Sequence, residues 1–244
     1  MYFTTNPHEP LIPLKPSMGL IFPSYRSGTR SRQNSGRTIY DTDIYEPDHL
    51  PRLGQAHKLH ELQTALDSAG LTVQVLGPDK IGGMPDVEET GSTFEANSLL
   101  KAHGLQEVGP ADGWYLADDS GIEIDSLDGR PGVISARYAG EPCDDERNND
   151  KVLAEMQDVP DGQRSCRFRC VLALVGQGIE ETFSGVCEGT LLHGRRGDGG
   201  FGYDPLFLPN ESDHTFAEIG LDEKAKISHR ARALTKLIDW LKNR

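Results

Sequence analysis

Two long runs of alternating character dominate the chain: RSCRFRCVLALVG at 164–176 and TFSGVCEGTLL at 182–192. In the first, Cys166, Phe168, Cys170, Leu172 and Leu174 fall on one face at the two-residue period of a strand. Two such runs separated by a few polar residues predict an antiparallel hairpin. The rest of the fold must be built around that hairpin. Elsewhere the pattern switches between periods. QAHKLHELQTALDSAG carries a helical stripe of Leu59, Leu62, Leu66 and Ala69, with Gly70 suited to the position after the helix end. LTVQVLG follows as a strand. A helix carrying Phe94, Leu99 and Ala102 comes next, with Ser92 and Glu95 as its capping box. WYLA and IEIDSL read as strands, DDERNNDKVLAEM as a helix, and ISHRARALTKLIDWL as a final helix with Ile227, Ala231, Leu234, Ile238 and Leu241 inward. Helices interleaved with strands and a hairpin imply an α/β chain with a mixed sheet and flanking helices.

Length and charge exclude several classes of function. At 244 residues, one sizeable domain or two lobes can build a proper core. No run of eighteen apolar residues exists, which excludes a spanning helix and a membrane role. The start, MYFTTNPHEP, lacks a basic segment followed by an apolar one, so no secretory signal is expected. The cysteine usage described below sets the expected compartment as the cytoplasm. A formal charge of −13 argues against nucleic acid polymers as partners, whose binding rests on neutralising many phosphates. A single nucleotide needs only a local basic pocket. The four cysteines, Cys143, Cys166, Cys170 and Cys187, contain no CxxC pair and read as reduced residues, the strand ones buried. Residues 1–52 hold seven of the fifteen prolines and no apolar periodicity, so they read as a disordered or non-native extension. The functional domain is expected at 53–244.

Three constellations could carry chemistry. In WYLADDSGIEID, Asp118 and Asp119 stand at a strand end, where they would serve as turn residues or as oxygen ligands for a hard cation. Strand geometry sends adjacent side chains to opposite faces, so at most one of them serves a given site. Glu88 and Glu89 offer a second acidic pair before a glycine turn. Lys224, Lys226, His229, Arg230 and Arg232 crowd the amino end of the last helix. The helix dipole disfavours cations there and favours a bound anion. In GDGGFGYDP, the glycines permit close backbone approach, and Phe201 and Tyr203 supply flat faces on which a base could stack.

Taken together, EETGSTFEANSLLKA, LADDSGIEIDSLDGRPGVISARYAG, GGFGYDPLF and EKAKISHRARAL resemble, in order, the motifs of the inosine triphosphate pyrophosphatase family. That resemblance implies an elongated mixed β-sheet with two lobes around a nucleotide cleft. It also implies a Mg²⁺-dependent homodimer that hydrolyses non-standard purine nucleoside triphosphates (ITP, dITP, XTP) to the monophosphate and pyrophosphate. Carried over residue by residue, Asp119 is the general base and a metal ligand. Glu88 or Glu89 is the other metal ligand, and Ser120 is a substrate contact. Lys58 and Lys224 are triphosphate-binding lysines. Phe201, Gly202, Tyr203 and Asp204 form the base loop, and His229 and Arg230 read the base edge. One departure stands out. The family opens with an apolar strand running into Ser/Thr-x-Asn-x-x-Lys-x-x-Glu. Here Lys58 and Glu61 keep their places, but Leu53 and Gln55 replace the hydroxyl residue and the Asn, and YEPDHLPR upstream is no buried strand. Both a central strand and a phosphate donor are thereby put in question. The alternative reading is a nucleotide-binding protein with weak or no turnover.

Overall fold

The computed structural model describes residues 37–41 and 53–244, the side chains of Arg37 and of residues 53–58 excepted. Its centre is one mixed sheet of six strands in the order β2-β1-β3-β4-β5-β6. β1 (Arg37–Asp41) is parallel to β2 (Val73–Leu76) on one side and to β3 (Trp114–Ile124) on the other. Parallel neighbours need crossover connections, and the helices α1 (Leu53–Ser68) and α2 (Phe94–Val108) supply them. The other half of the sheet is antiparallel: β3 pairs with β4 (Ser165–Gly176), β4 with β5 (Ile179–Leu191), and β5 with the short β6 (Phe207–Pro209). The predicted hairpin is thus present. Its turn is Gln177-Gly178, both with left-handed backbone (φ 51° and 77°), as a two-residue hairpin matched to strand twist requires.

Alternation along the strands sends their apolar side chains into three cores. Trp114, Leu116, Leu172 and Leu174 pack with Ile39 under α1 and α5 (His229–Lys242). On the other face Tyr115, Ala117, Ala173 and Val175 pack against Ala102 and Leu105 of α2. Farther along, Ile122, Ile124, Cys166 and Phe168 join Val152 of α3 (Asp145–Glu155), together with Phe207 and Phe216. Between the first two cores and the third, β3 carries Asp118, Asp119, Ser120 and Gly121. That junction is where the charged groups collect. α5 is seated there by packing: Leu234, Leu237 and Leu241 are buried, each worth about 1.5–3 kcal/mol. Its N-cap Ser228, which accepts from Ala231 N, adds about 1 kcal/mol. Seating is close, because a Cβ on Gly185 of β5 would meet His229 O at 2.0 Å.

Several expectations need correction. Regular structure begins before residue 52: β1 lies inside the proposed extension, and it supplies the central strand that YEPDHLPR could not. Ile39 is fully buried in it and Tyr40 stacks on Tyr115 with ring centroids 5.5 Å apart. The remainder of 1–52 lies outside the described residues. WYLA and IEIDSL are not two strands around a turn but one eleven-residue strand, so the paired aspartates are mid-strand. The α2 cap is Thr93, not Ser92, and Glu95 is drawn away to Arg169. Lys224 and Lys226 belong to a separate short helix, α4 (Leu221–Ile227), and stand in its last turn, where the dipole favours them. Only His229, Arg230 and Arg232 open α5.

Candidate functional site

Asp119 projects onto the α2 side of the sheet. Its Oδ1 accepts from Lys101 Nζ at 2.8 Å and its Oδ2 from Asn97 Nδ2 at 3.3 Å. Asn97 and Lys101 stand four residues apart, hence on one face of α2. Asn97 is fixed in turn because its Oδ1 accepts from Gly91 N at 2.8 Å. Lys101 also reaches Glu89 Oε1 at 3.2 Å, and Arg137 Nη1 donates to Glu89 Oε2 at 3.1 Å. One ammonium thus bridges two carboxylates that the sequence proposed separately. Of the acidic pair, Glu89 is the member in this cluster, while Glu88 is exposed.

These two carboxylates are tuned apart. Burial pushes the Asp119 carboxyl above the ordinary aspartate value; Lys101 and Asn97 offset part of that, and Glu89 adds to it. Burial also opposes ionisation of Glu89, but Lys101 and Arg137 outweigh it and hold its carboxyl below the ordinary range. A pair pushed in opposite directions fits one ligand that stays ionised and one group able to take a proton. Among the described residues no group of three or more His, Cys, Asp or Glu is placed to hold a metal ion. Two carboxylates nonetheless match what Mg²⁺ usually takes from protein, the remaining oxygens coming from phosphates and water. Lys101 already supplies a positive charge between them, so the donor set suits a cation.

The opposite face of β3 differs. Asp118 Oδ2 accepts from Ser120 Oγ at 3.1 Å and from Arg230 Nη2 of α5. The His229 ring lies parallel on Phe168, centroids 4.9 Å apart. Ser120 and Arg230 are therefore brought together by Asp118, away from the Asp119 carboxylate.

The glycine-rich loop makes a third group. Asp204 is buried, and its Oδ2 accepts from Phe201 N at 3.0 Å and from Lys224 Nζ. Burial raises its carboxyl, and Lys224 and the Phe201 amide counter part of the shift. Lys224 Nζ also lies 4.8 Å from the Phe201 ring centroid. The structure thus groups Lys224 with the base loop rather than with Lys101. Tyr203 is buried and its hydroxyl donates to Ser135 O at 2.8 Å, while Phe201 is 63% exposed. Ser135 Oγ accepts from Ile122 N at 3.0 Å, so the segment 132–137 ties the loop to β3 through Ser135 and to Glu89 through Arg137.

Lys58, Leu53 and Gln55 fall on turns of α1 whose side chains lie outside the described residues. Lys101, Asn97 and Arg137 were not singled out from the sequence. The spacing Asn97-x-x-x-Lys101 on a helix beginning at the cap was the available signal for the first two.

The chain matches the Ham1 family over residues 54–240. A dITP/XTP pyrophosphatase of Oceanobacillus iheyensis is 49% identical over 189 residues, which cover 77% of this chain and 93% of that protein. A dITP/XTP pyrophosphatase of Geobacter sulfurreducens is 48% identical over 187 residues, covering 75% and 91%. Among solved structures, the Ham1 protein of Staphylococcus aureus superposes with a TM-score of 0.72 at 32% identity, over 85% of this chain and 99% of its own.

Proposed function

The chain belongs to the Ham1 family, and from that membership we infer that it hydrolyses dITP, XTP and ITP to the nucleoside monophosphate and pyrophosphate. The observation that carries the reaction is the Glu89–Lys101–Asp119 cluster, two carboxylates tuned apart and joined by one ammonium. Asp119, with its raised proton affinity, orients a water and takes its proton. Lys101 donates to the phosphoryl oxygens on which charge develops. Glu89 and Asp119 would hold Mg²⁺, and the ion when bound would neutralise further phosphoryl charge.

The base is read on the other side of β3. Arg230 is a donor only, so it favours purines with an oxygen at C6 over adenine, which presents an amino group. Asp118 fixes its direction. Phe201, exposed beside Lys224, offers a face for stacking. Homodimerisation is proposed on the family resemblance, and a cytoplasmic location on the four cysteines that form no disulfide. Among the described residues no helix is long and apolar enough to cross a membrane.

The test is pyrophosphate release from ITP, dITP, XTP and ATP with Mg²⁺, with sedimentation for the dimer. Release from the first three at well above the ATP rate is the expected result. Equal rates on ATP, or no release from any, would refute the assignment.

A further inference from the structure

α3 touches the base loop at an unusual point, the backbone of Gly202. Its N–H donates to Asp145 Oδ2 at 2.6 Å, and its carbonyl accepts from Asn149 Nδ2 at 2.9 Å. Asp145 and Asn149 stand four apart on one helix face, and Asn149 is 1% exposed. Both polar groups of one residue are therefore held by one helix. That residue is the pivot of the loop. Gly202 has φ of 58°, with open space where a Cβ would be, so the backbone conformation and not crowding calls for glycine. On one side of it Phe201 points its ring outward, and on the other Tyr203 is anchored inside. A glycine has many alternative conformations, and rotation about it would swing Phe201 while leaving Tyr203 in place. The same helix also fixes the loop's beginning, since Arg195 Nη2 donates to Glu146 O at 3.0 Å and to Asp150 Oδ1 at 2.9 Å.

We propose that Asp145 and Asn149 are positioning residues that pin Gly202 and thereby set the attitude of the Phe201 ring toward the purine base. The proposal rests on the nucleotide reading above. Neither residue contacts Glu89, Lys101 or Asp119 in the hydrogen bonds described, so the clamp acts on recognition of the base and not on the phosphates.

Three variants of the full chain test it: Asn149→Asp, which replaces the donor with an acceptor; Asp145→Ala, which removes the acceptor; and Asp145→Asn, which keeps one. KM and kcat for ITP are measured together with the inhibition constant of pyrophosphate, a probe without a base. Asn149→Asp and Asp145→Ala should raise KM roughly tenfold, as loss of a part-buried hydrogen bond does. kcat should stay within about twofold, since these residues act on binding rather than on the reacting groups. Pyrophosphate inhibition should be unchanged, and Asp145→Asn should resemble the parent. An equal weakening of pyrophosphate, an unchanged KM, or an Asp145→Asn variant as damaged as Asp145→Ala would overturn the clamp. Were the parent to bind ITP without turning it over, the hydrolase reading would fail alone. The clamp would then stand or fall on the ITP dissociation constants of the same variants. A parent that binds no ITP would overturn both.

Discussion

Asp118 and Asp119 are neighbours in sequence, yet the two sides of the sheet use their charge differently. On the α2 side, Asp119 is buried with an ammonium that it shares with Glu89, and its proton affinity is raised. On the α5 side, Asp118 takes a guanidinium and a hydroxyl and serves to aim them. One pleat of a strand thus separates the carboxylate proposed for proton transfer from the groups proposed for base reading. A turn at this point would have left both carboxylates free to face one site, whereas the strand geometry expected from the sequence sends them to opposite faces. A continuous strand fixes which faces which, because β4 pairs with β3 from Tyr115 to Ile124 without interruption.

The largest expected effect breaks the α2 side. Asp119→Asn should lower ITP turnover by roughly 10²–10⁴-fold, the usual worth of a positioned acid or base. Its thermal melting should hold, since the lost carboxylate is one that burial disfavours. Near-full turnover in that variant would remove Asp119 from the proposed role. Next comes Glu89→Gln, which weakens one of two proposed cation ligands. Pyrophosphate release should then need roughly tenfold more Mg²⁺ for half-maximal rate, a shift typical of ligand-sphere changes. An unchanged Mg²⁺ dependence would argue against Glu89 as ligand. On the α5 side the effect should be smaller and of another kind. Arg230→Ala should cut the ITP-to-ATP ratio of kcat/KM by about tenfold or more, because one directed donor is lost. A preserved ratio would exclude Arg230 as the reader. The smallest effect lies outside both sides. Cys166, Cys170 and Cys187 are buried and Cys143 is only partly so, and burial raises the Cys166 thiol and holds Cys187 at about 11. Native protein should therefore release one fast equivalent in a thiol titration, and denatured protein all four.

How much of this could be read from the residues follows from how local each signal is. The hairpin was legible because both strands carry their own alternation and lie next to each other in sequence. The start of α2 was legible to within one residue because capping acts within one turn. β1 was not. RTIYD is five residues among polar and proline-rich neighbours, and only pairing with β2 and β3 on both sides makes it central. The break between α4 and α5 was missed because the cation run continues across it, while Ser228 in between takes extended backbone. In the candidate site, Asp119 and the base-loop residues were singled out through motifs. Lys101 was overlooked because a lysine on an exposed-looking helix pattern is usually solvated. Its meaning comes from Asp119, which lies 18 residues away in sequence and 2.8 Å away in space. Which of Glu88 and Glu89 joins the cluster was likewise a question of which way a loop turns, and Arg137 meets Glu89 from 48 residues on.

The separation of the two faces is tested most directly by the dissociation constants of ITP and ATP for Asp118→Asn and Asp119→Asn, measured by calorimetry against the parent. Asp119→Asn should keep the parent's preference for ITP, and Asp118→Asn should lose most of it as Arg230 is released. A preference flattened by Asp119→Asn, or left intact by Asp118→Asn, would contradict the division of labour across β3.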